Sequence, residues 1–164
     1  MSSIQPQARP AFSYRNDPAI PPFDESYWHV VMDDHCGLCT RAARRIARAD
    51  RQDRVRIVPV RSDLGEGLMR HYGLDPHDPQ SWLLIREGQA FGGLDAATKL
   101  FPELSVRYVP LRVLSLLPKN WRDRLYRAVA TRRYRWFGQA DLCAIPDAQV
   151  QARLVTSSPT NLDR

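Results

Sequence analysis

The chain has 164 residues, 43% of them hydrophobic and 26% charged, with a formal net charge of +6. That length suits one domain with its own core rather than two. The apolar runs are short and broken, as "YVPLRVLSLLP" is by Arg112 and two prolines, so no membrane span is expected. The basic residues, almost all arginine, read as spread along the chain, which favours solvated basic faces over a nucleic-acid-binding surface.

The first 26 residues hold Pro6, Pro10, Pro18, Pro21 and Pro22 and lack both the apolar stretch and the basic start of a secretory signal. They read as a disordered tail, and the expected setting is a reducing cytoplasm. "WHVVM" (28–32) is a short apolar run rich in β-branched residues and predicts a strand buried on both faces. From Gly37 to Asp50 the pattern turns helical: Leu38, Ala42, Ala43, Ile46 and Ala47 share one side, and Arg41, Arg44, Arg45 and Arg48 form a wet stripe on another. "VRIVPV" (55–60) predicts a second strand, and Ser62 can cap a helix over 63–72 that Gly73 ends. "SWLLI" (81–85) predicts a third strand, with "REGQ" as a hairpin turn into "AFGG". From Leu94 the chain reads as helical, including a helix from Trp121 to about Arg133 with Asn120 as its cap, and Trp121, Tyr126, Tyr134, Trp136 and Phe137, at helical spacing, read as a core seam. Residues 148–164 are expected to be a tail.

This order, β-α-β-α-β-β-α, predicts an α/β fold over 27–147: a thioredoxin-like small mixed sheet flanked by helices, with extra C-terminal helices. Two of the three cysteines, Cys36 and Cys39, form a C-x-x-C at the first strand-to-helix junction, where a thioredoxin-like domain carries its redox pair. Residues i and i+3 on the first helical turn share a side, so the sulfurs can close a disulfide with little backbone movement. The helix N–H groups stabilise a thiolate at the first cysteine. Cys36 is therefore expected to be the exposed attacking thiolate, with Gly37 adding backbone freedom, and Cys39 the buried resolving thiol. Asp33 is expected to accept loop N–H groups or the proton of Cys39.

Other readings stay open. C-x-x-C is half of a zinc site, for which His71 and His77, or Cys143 with His35, could supply the rest. Zinc there would make a stapled basic module that binds nucleic acid or an acidic protein. Taken alone, Cys143 reads as packing and His35 as an exposed loop residue.

"DDHCGLC" (33–39) resembles the D-G-x-C-x-x-C signature of the DCC family of thiol-disulfide oxidoreductases. "YGLDPHDPQSWLLIREGQAFGGLDAATKLF" resembles that family's middle segment, and "RYRWFGQADLC" its ending, so the resemblance covers about Trp28 to Pro146. Asp34 stands where the family has glycine, and Gly92 and Gly93 where it has an arginine–serine pair. The resemblance implies a thioredoxin-like fold and a dithiol enzyme with Asp33, Cys36 and Cys39 in its site and Cys143 as its late cysteine. The expected partners are a disulfide substrate, protein or small molecule, and a cellular thiol reductant, with no bound cofactor. Pro79, just before the third strand, is the nearest proline that could face the cysteine pair.

Overall fold

The structure is a computed structural model and describes residues 5–142, 144 and 146–155. Four strands form one mixed sheet: β1 (Trp28–Met32), β2 (Val55–Pro59), β3 (Leu83–Arg86) and β4 (Gln89–Gly92), in the order β2-β1-β3-β4. β1 and β2 run parallel with Val30 opposite Ile57, and α1 (Gly37–Ala49) supplies the crossover that a parallel pair requires. β3 lies antiparallel to β1, and β4 returns beside it through a turn in which Glu87 and Gly88 both have positive φ, 52° and 76°. This is the hairpin read from "REGQ", in the turn class that matches strand twist. The arrangement is thioredoxin-like.

Alternation along β1 sends side chains to two cores. Val30 and Met32 join Ala43, Ile46 and Ala47 of α1 and Leu100 of α3 (Gly93–Leu104) on one face. Val31 joins Leu64, Leu68 and Met69 of α2 (Asp63–His71) on the other. Ser62 caps α2 as its sequence position suggested, its hydroxyl accepting from the Gly65 N–H at 3.1 Å. The arginine stripe of α1 lies outside the core.

Three regions differ from expectation. Residues 5–26, expected to be a disordered tail, pack against the α2 face: Tyr14 is buried, Phe12 and Phe23 cover the second core, and the Gln7 and Phe12 N–H groups bond Tyr72 and Gly88 carbonyls at 2.8 and 2.9 Å. His71 fixes this arm through Asp17 at 2.8 Å and Ser13 at 2.9 Å. The α2 face needs this cover because α2 is short and carries Gly65 and Gly67; a Cβ at Gly67 would lie 2.8 Å from the Ala19 carbonyl oxygen. At the other end, residues 148–155 are not a free tail. The helix α6 (Ala148–Gln151) buries Val150, and the Ile57 N–H donates to the Arg153 carbonyl while the Ile57 carbonyl accepts from the Val155 N–H, each at 2.8 Å, which adds this strand-like end beside β2.

The third difference is the segment after α3. It breaks into a 3-10 stretch (Val106–Leu116), α4 (Lys119–Ala130) and α5 (Arg133–Phe137). Ser105 is extended (φ −159°, ψ 139°), and the fixed φ of Pro110 and Pro118 interrupts a regular α pattern. α4 starts before Asn120, with Pro118 in the cap position. The aromatic residues there are not a core seam: Trp121, Tyr134 and Trp136 are 65%, 41% and 58% exposed.

Candidate functional site

β1 ends at Met32, and the chain turns through Asp33, Asp34 and His35 into Cys36, the N-cap of α1. Asp33 Oδ1 accepts the His35 N–H at 2.9 Å, which pins this turn. His35 itself points to solvent. Cys36 has extended backbone (φ −97°, ψ 120°), so its sulfur lies toward the helix N–H groups, and Cys39 follows one turn later. Both thiols are free.

The two thiols lie close together. The Cys39 thiol donates to Cys36, and this bond is the largest influence drawing the Cys36 pKa down to about 6. Burial opposes it, while the Cys39 N–H, the Arg133 charge and the Leu38 N–H assist. Cys39 is pushed well above the ordinary thiol value, first by that same bond to Cys36 and then by burial and the charges of Cys36 and Asp33. Two adjacent thiols thus share one proton, and Cys36 is the one that gives it up.

The accessibility of the pair is the reverse of the sequence-based expectation. Cys36 has 0% exposed surface, whereas Cys39 is half-buried and opens onto a pocket. The cover comes from a strand-like run after α5. Gly37 N–H bonds the Gly138 carbonyl at 3.1 Å, Ala140 N–H bonds that of His35 at 3.2 Å, and Leu142 N–H bonds that of Asp34 at 2.7 Å. Cys36 lies opposite Gln139 in this pairing. Gly37 serves close approach rather than flexibility, since a Cβ there would sit 2.3 Å from the Phe137 carbonyl oxygen.

α5 also delivers two residues that sequence reasoning did not place in the site. Arg133 is buried and donates to Asp33 Oδ2 at 3.2 Å, and the Tyr134 hydroxyl donates to the same oxygen. Asp33, 5% exposed, is therefore a compensated buried carboxylate beside Cys39. Both residues fall in "RYRWFGQADLC", but nothing local in that stretch reveals a partner a hundred positions away.

The pocket has a volume of about 510 Å³. Leu38 and Ala42 of α1, Phe101 of α3, and Trp82 and Phe137 make it largely apolar; Arg41 and Arg45 stand at its helix side, and Cys39, Asp33 and Arg133 contribute its polar wall. Pro79 lines it too, which places that proline near the cysteine pair. Tyr126 closes another side, its hydroxyl pKa pushed up to about 12 chiefly by burial.

No group of three or more His, Cys, Asp or Glu side chains among the described residues is gathered to hold a metal. His71 is engaged with Asp17 and Ser13 on the opposite side of the sheet, so the His71–His77 reading of a zinc site has no support. Cys143 lies outside the described residues. No helix among the described residues is long and apolar enough to cross a membrane.

Comparison with known proteins agrees with this geometry. The Bacillus subtilis protein YuxK is 28% identical over 126 residues, which cover 77% of this chain and 92% of the relative. The DCC family protein At1g52590, chloroplastic, of Arabidopsis thaliana is 27% identical over 117 residues, covering 71% of this chain and 68% of the relative. No solved structure matches the chain. The family model for DCC1-like thiol-disulfide oxidoreductases matches residues 30–139, from β1 through the cover over Cys36, and the chain belongs to that family.

Proposed function

We propose that Cys36 and Cys39 form a redox dithiol that exchanges with a disulfide substrate. The observation that carries this reading is the proximity of two free thiols at the start of α1, with the Cys36 pKa drawn down and the Cys39 pKa pushed up, which favours ionisation of Cys36 while Cys39 keeps its proton. In the reducing direction, once the 138–142 segment that covers it has moved aside, the Cys36 thiolate attacks one sulfur of the substrate disulfide, forming a mixed disulfide and releasing the other sulfur as a thiolate. Cys39 then loses its proton to Asp33 or to the departing thiolate and attacks the Cys36 sulfur. The Cys36–Cys39 disulfide forms, the second substrate sulfur leaves, and two electrons have passed to the substrate. A cellular thiol reductant restores the dithiol by the same steps reversed.

Asp33 acts here as a positioning group and proton acceptor, held by Arg133 and Tyr134. The apolar pocket at Cys39 favours a substrate that presents an apolar group next to its disulfide, with Arg41 and Arg45 placed to meet an anionic group on it. Membership of the family supports the reaction class. Trapping tests the assignment: Cys39→Ser protein should accumulate a mixed disulfide with a model disulfide such as oxidised glutathione, and Cys36→Ser protein should not. If Cys36→Ser is the variant that traps, the roles are reversed; if neither traps and the wild type never forms the internal disulfide, the redox reading is wrong.

A further inference from the structure

Every large hydrophobic side chain that the described residues leave well exposed falls between Val106 and Trp136. Val106, Val113, Leu116 and Trp121 are 86%, 64%, 81% and 65% exposed, with Leu125 and Trp136 at 49% and 58%. Val106, Val109, Val113, Leu116 and then Leu117, Trp121 and Leu125 recur every three or four residues, the spacing of one helical face carried across Pro118. No element among the described residues covers that face. Its charge is equally uneven: residues 106–137 hold nine of the 24 Lys and Arg residues but one of the 18 Asp and Glu residues, a net +8 against −2 for the rest of the chain. Arg112, Arg122 and Arg133 pair with Glu103, Asp95 and Asp33 outside the segment, which leaves Arg107, Lys119, Arg124, Arg127, Arg132 and Arg135 as its exposed cations. The basic residues are thus not evenly spread, contrary to the impression from the whole sequence.

We infer that this segment is an interfacial surface that docks on an anionic lipid bilayer. Three physical features select that occupant. A basic face with exposed aliphatic and tryptophan side chains beside it satisfies both requirements of interfacial binding, apolar insertion and attraction to anionic headgroups. A second copy of the chain would bring the same excess of positive charge to the same face, which repels it. Nucleic acid would match the charge but would leave Val106, Val113 and Leu116 in water, since aliphatic side chains gain nothing from a phosphate backbone. A groove beside Val106, about 710 Å³ in volume, extends the cationic surface: Arg45, Arg48, Arg51 and Arg107 line it, against the single carboxylate of Glu103, which pairs with Arg112. The inference does not rest on the redox reading. It does place the pocket near the bilayer, because Tyr126 and Phe137 in its wall belong to α4 and α5 of the docking segment.

Co-sedimentation of the full chain with vesicles tests it. Vesicles of phosphatidylcholine containing phosphatidylglycerol should bind the chain at least ~10-fold more tightly than phosphatidylcholine alone, and raised salt should weaken binding. L116N/W121N should lose ~10-fold or more in affinity for the anionic vesicles, and R124E/R127E a similar amount, while circular dichroism and the Cys36 titration stay as in wild type. The inference is overturned if anionic vesicles bind no better than neutral ones, if L116N/W121N binds as tightly as wild type, or if duplex DNA or polyglutamate binds as tightly as the vesicles. A stable dimer that L116N/W121N dissociates would likewise overturn it, by assigning the face to a second copy.

Discussion

The polarised pair makes a quantitative claim that one substitution isolates. Cys36 falls from the ordinary thiol value of 9.0 to about 6, which corresponds to about 4 kcal/mol in favour of its thiolate. Near pH 7 such a group is about nine-tenths ionised, whereas an unperturbed thiol is ionised to about one part in a hundred. The leading cause is the hydrogen bond from Cys39; the N–H groups of residues 38 and 39 and the Arg133 charge act with it against burial. Cys39→Ala removes the leading donor and leaves the others. Its Cys36 titration should move up by more than one pH unit, a loss of at least ~1.4 kcal/mol of thiolate stabilisation. Cys39→Ser keeps a hydroxyl donor and should fall between the two.

The assay is the ultraviolet absorbance of the thiolate against pH, with Cys143→Ser as the background so that no third thiol contributes. Absorbance reports ionisation whether or not the sulfur is accessible, which matters because Cys36 is covered and alkylation would mix the two. A wild-type midpoint near 9 would refute the polarisation of the pair. A midpoint that stays near 6 in Cys39→Ala would show that the helix terminus and Arg133 suffice without the second thiol.

Burial holds His29, in the centre of the sheet against Phe23, down to about 4 from the ordinary 6.5. Its neutral form is the one the fold accepts, so stability should be complete above about pH 6.5 and fall by up to about 3 kcal/mol as the pH drops toward 4; urea unfolding of His29→Gln should show a flatter profile over that window, and an unchanged slope would refute the assignment. Arg133→Gln leaves the buried Asp33 carboxylate with only Tyr134 and the His35 N–H as partners and should cost about 3 kcal/mol in denaturant unfolding while raising the Cys36 midpoint. Gly37→Ala drives a methyl against the Phe137 carbonyl and should speed iodoacetamide labelling of Cys36 at a stability cost of about 1–3 kcal/mol; slower or equal labelling would show that the segment after α5 is not what shields the sulfur.

Much of the fold was legible because the relevant signals are local. The apolar β-branched run "WHVVM", the alternation in "VRIVPV", the helical period from Gly37, the Ser62 cap and the Glu87–Gly88 turn each act within a few residues, and together they fix β1-α1-β2-α2 and the hairpin. The N-terminal arm was missed because its five prolines resemble disorder, whereas the property that matters is a deficit elsewhere. α2 and its two glycines leave apolar surface that Phe12, Tyr14, Ile20 and Phe23 cover. The segment from Val106 to Leu125 was legible as helical, but helical periodicity cannot say whether an apolar face meets a core or solvent.

The same limit explains why the exposure of the two cysteines came out reversed. In an isolated strand–helix unit an N-cap side chain faces water and a residue one turn in faces the sheet, so Cys36 reads as open and Cys39 as closed. What overrides this is a segment a hundred residues later, whose end is anchored by Leu142, fully buried in the first core. Its other anchor is the contact of Arg133 and Tyr134 with Asp33, the carboxylate that also raises the Cys39 pKa. The cover and the proposed proton acceptor therefore share one group, and the variants separate them. Gly37→Ala should change access to Cys36 while leaving Asp33 paired and the titration near 6. Arg133→Gln releases one anchor of the cover and removes a charge that favours the thiolate, so it should shift access and ionisation together.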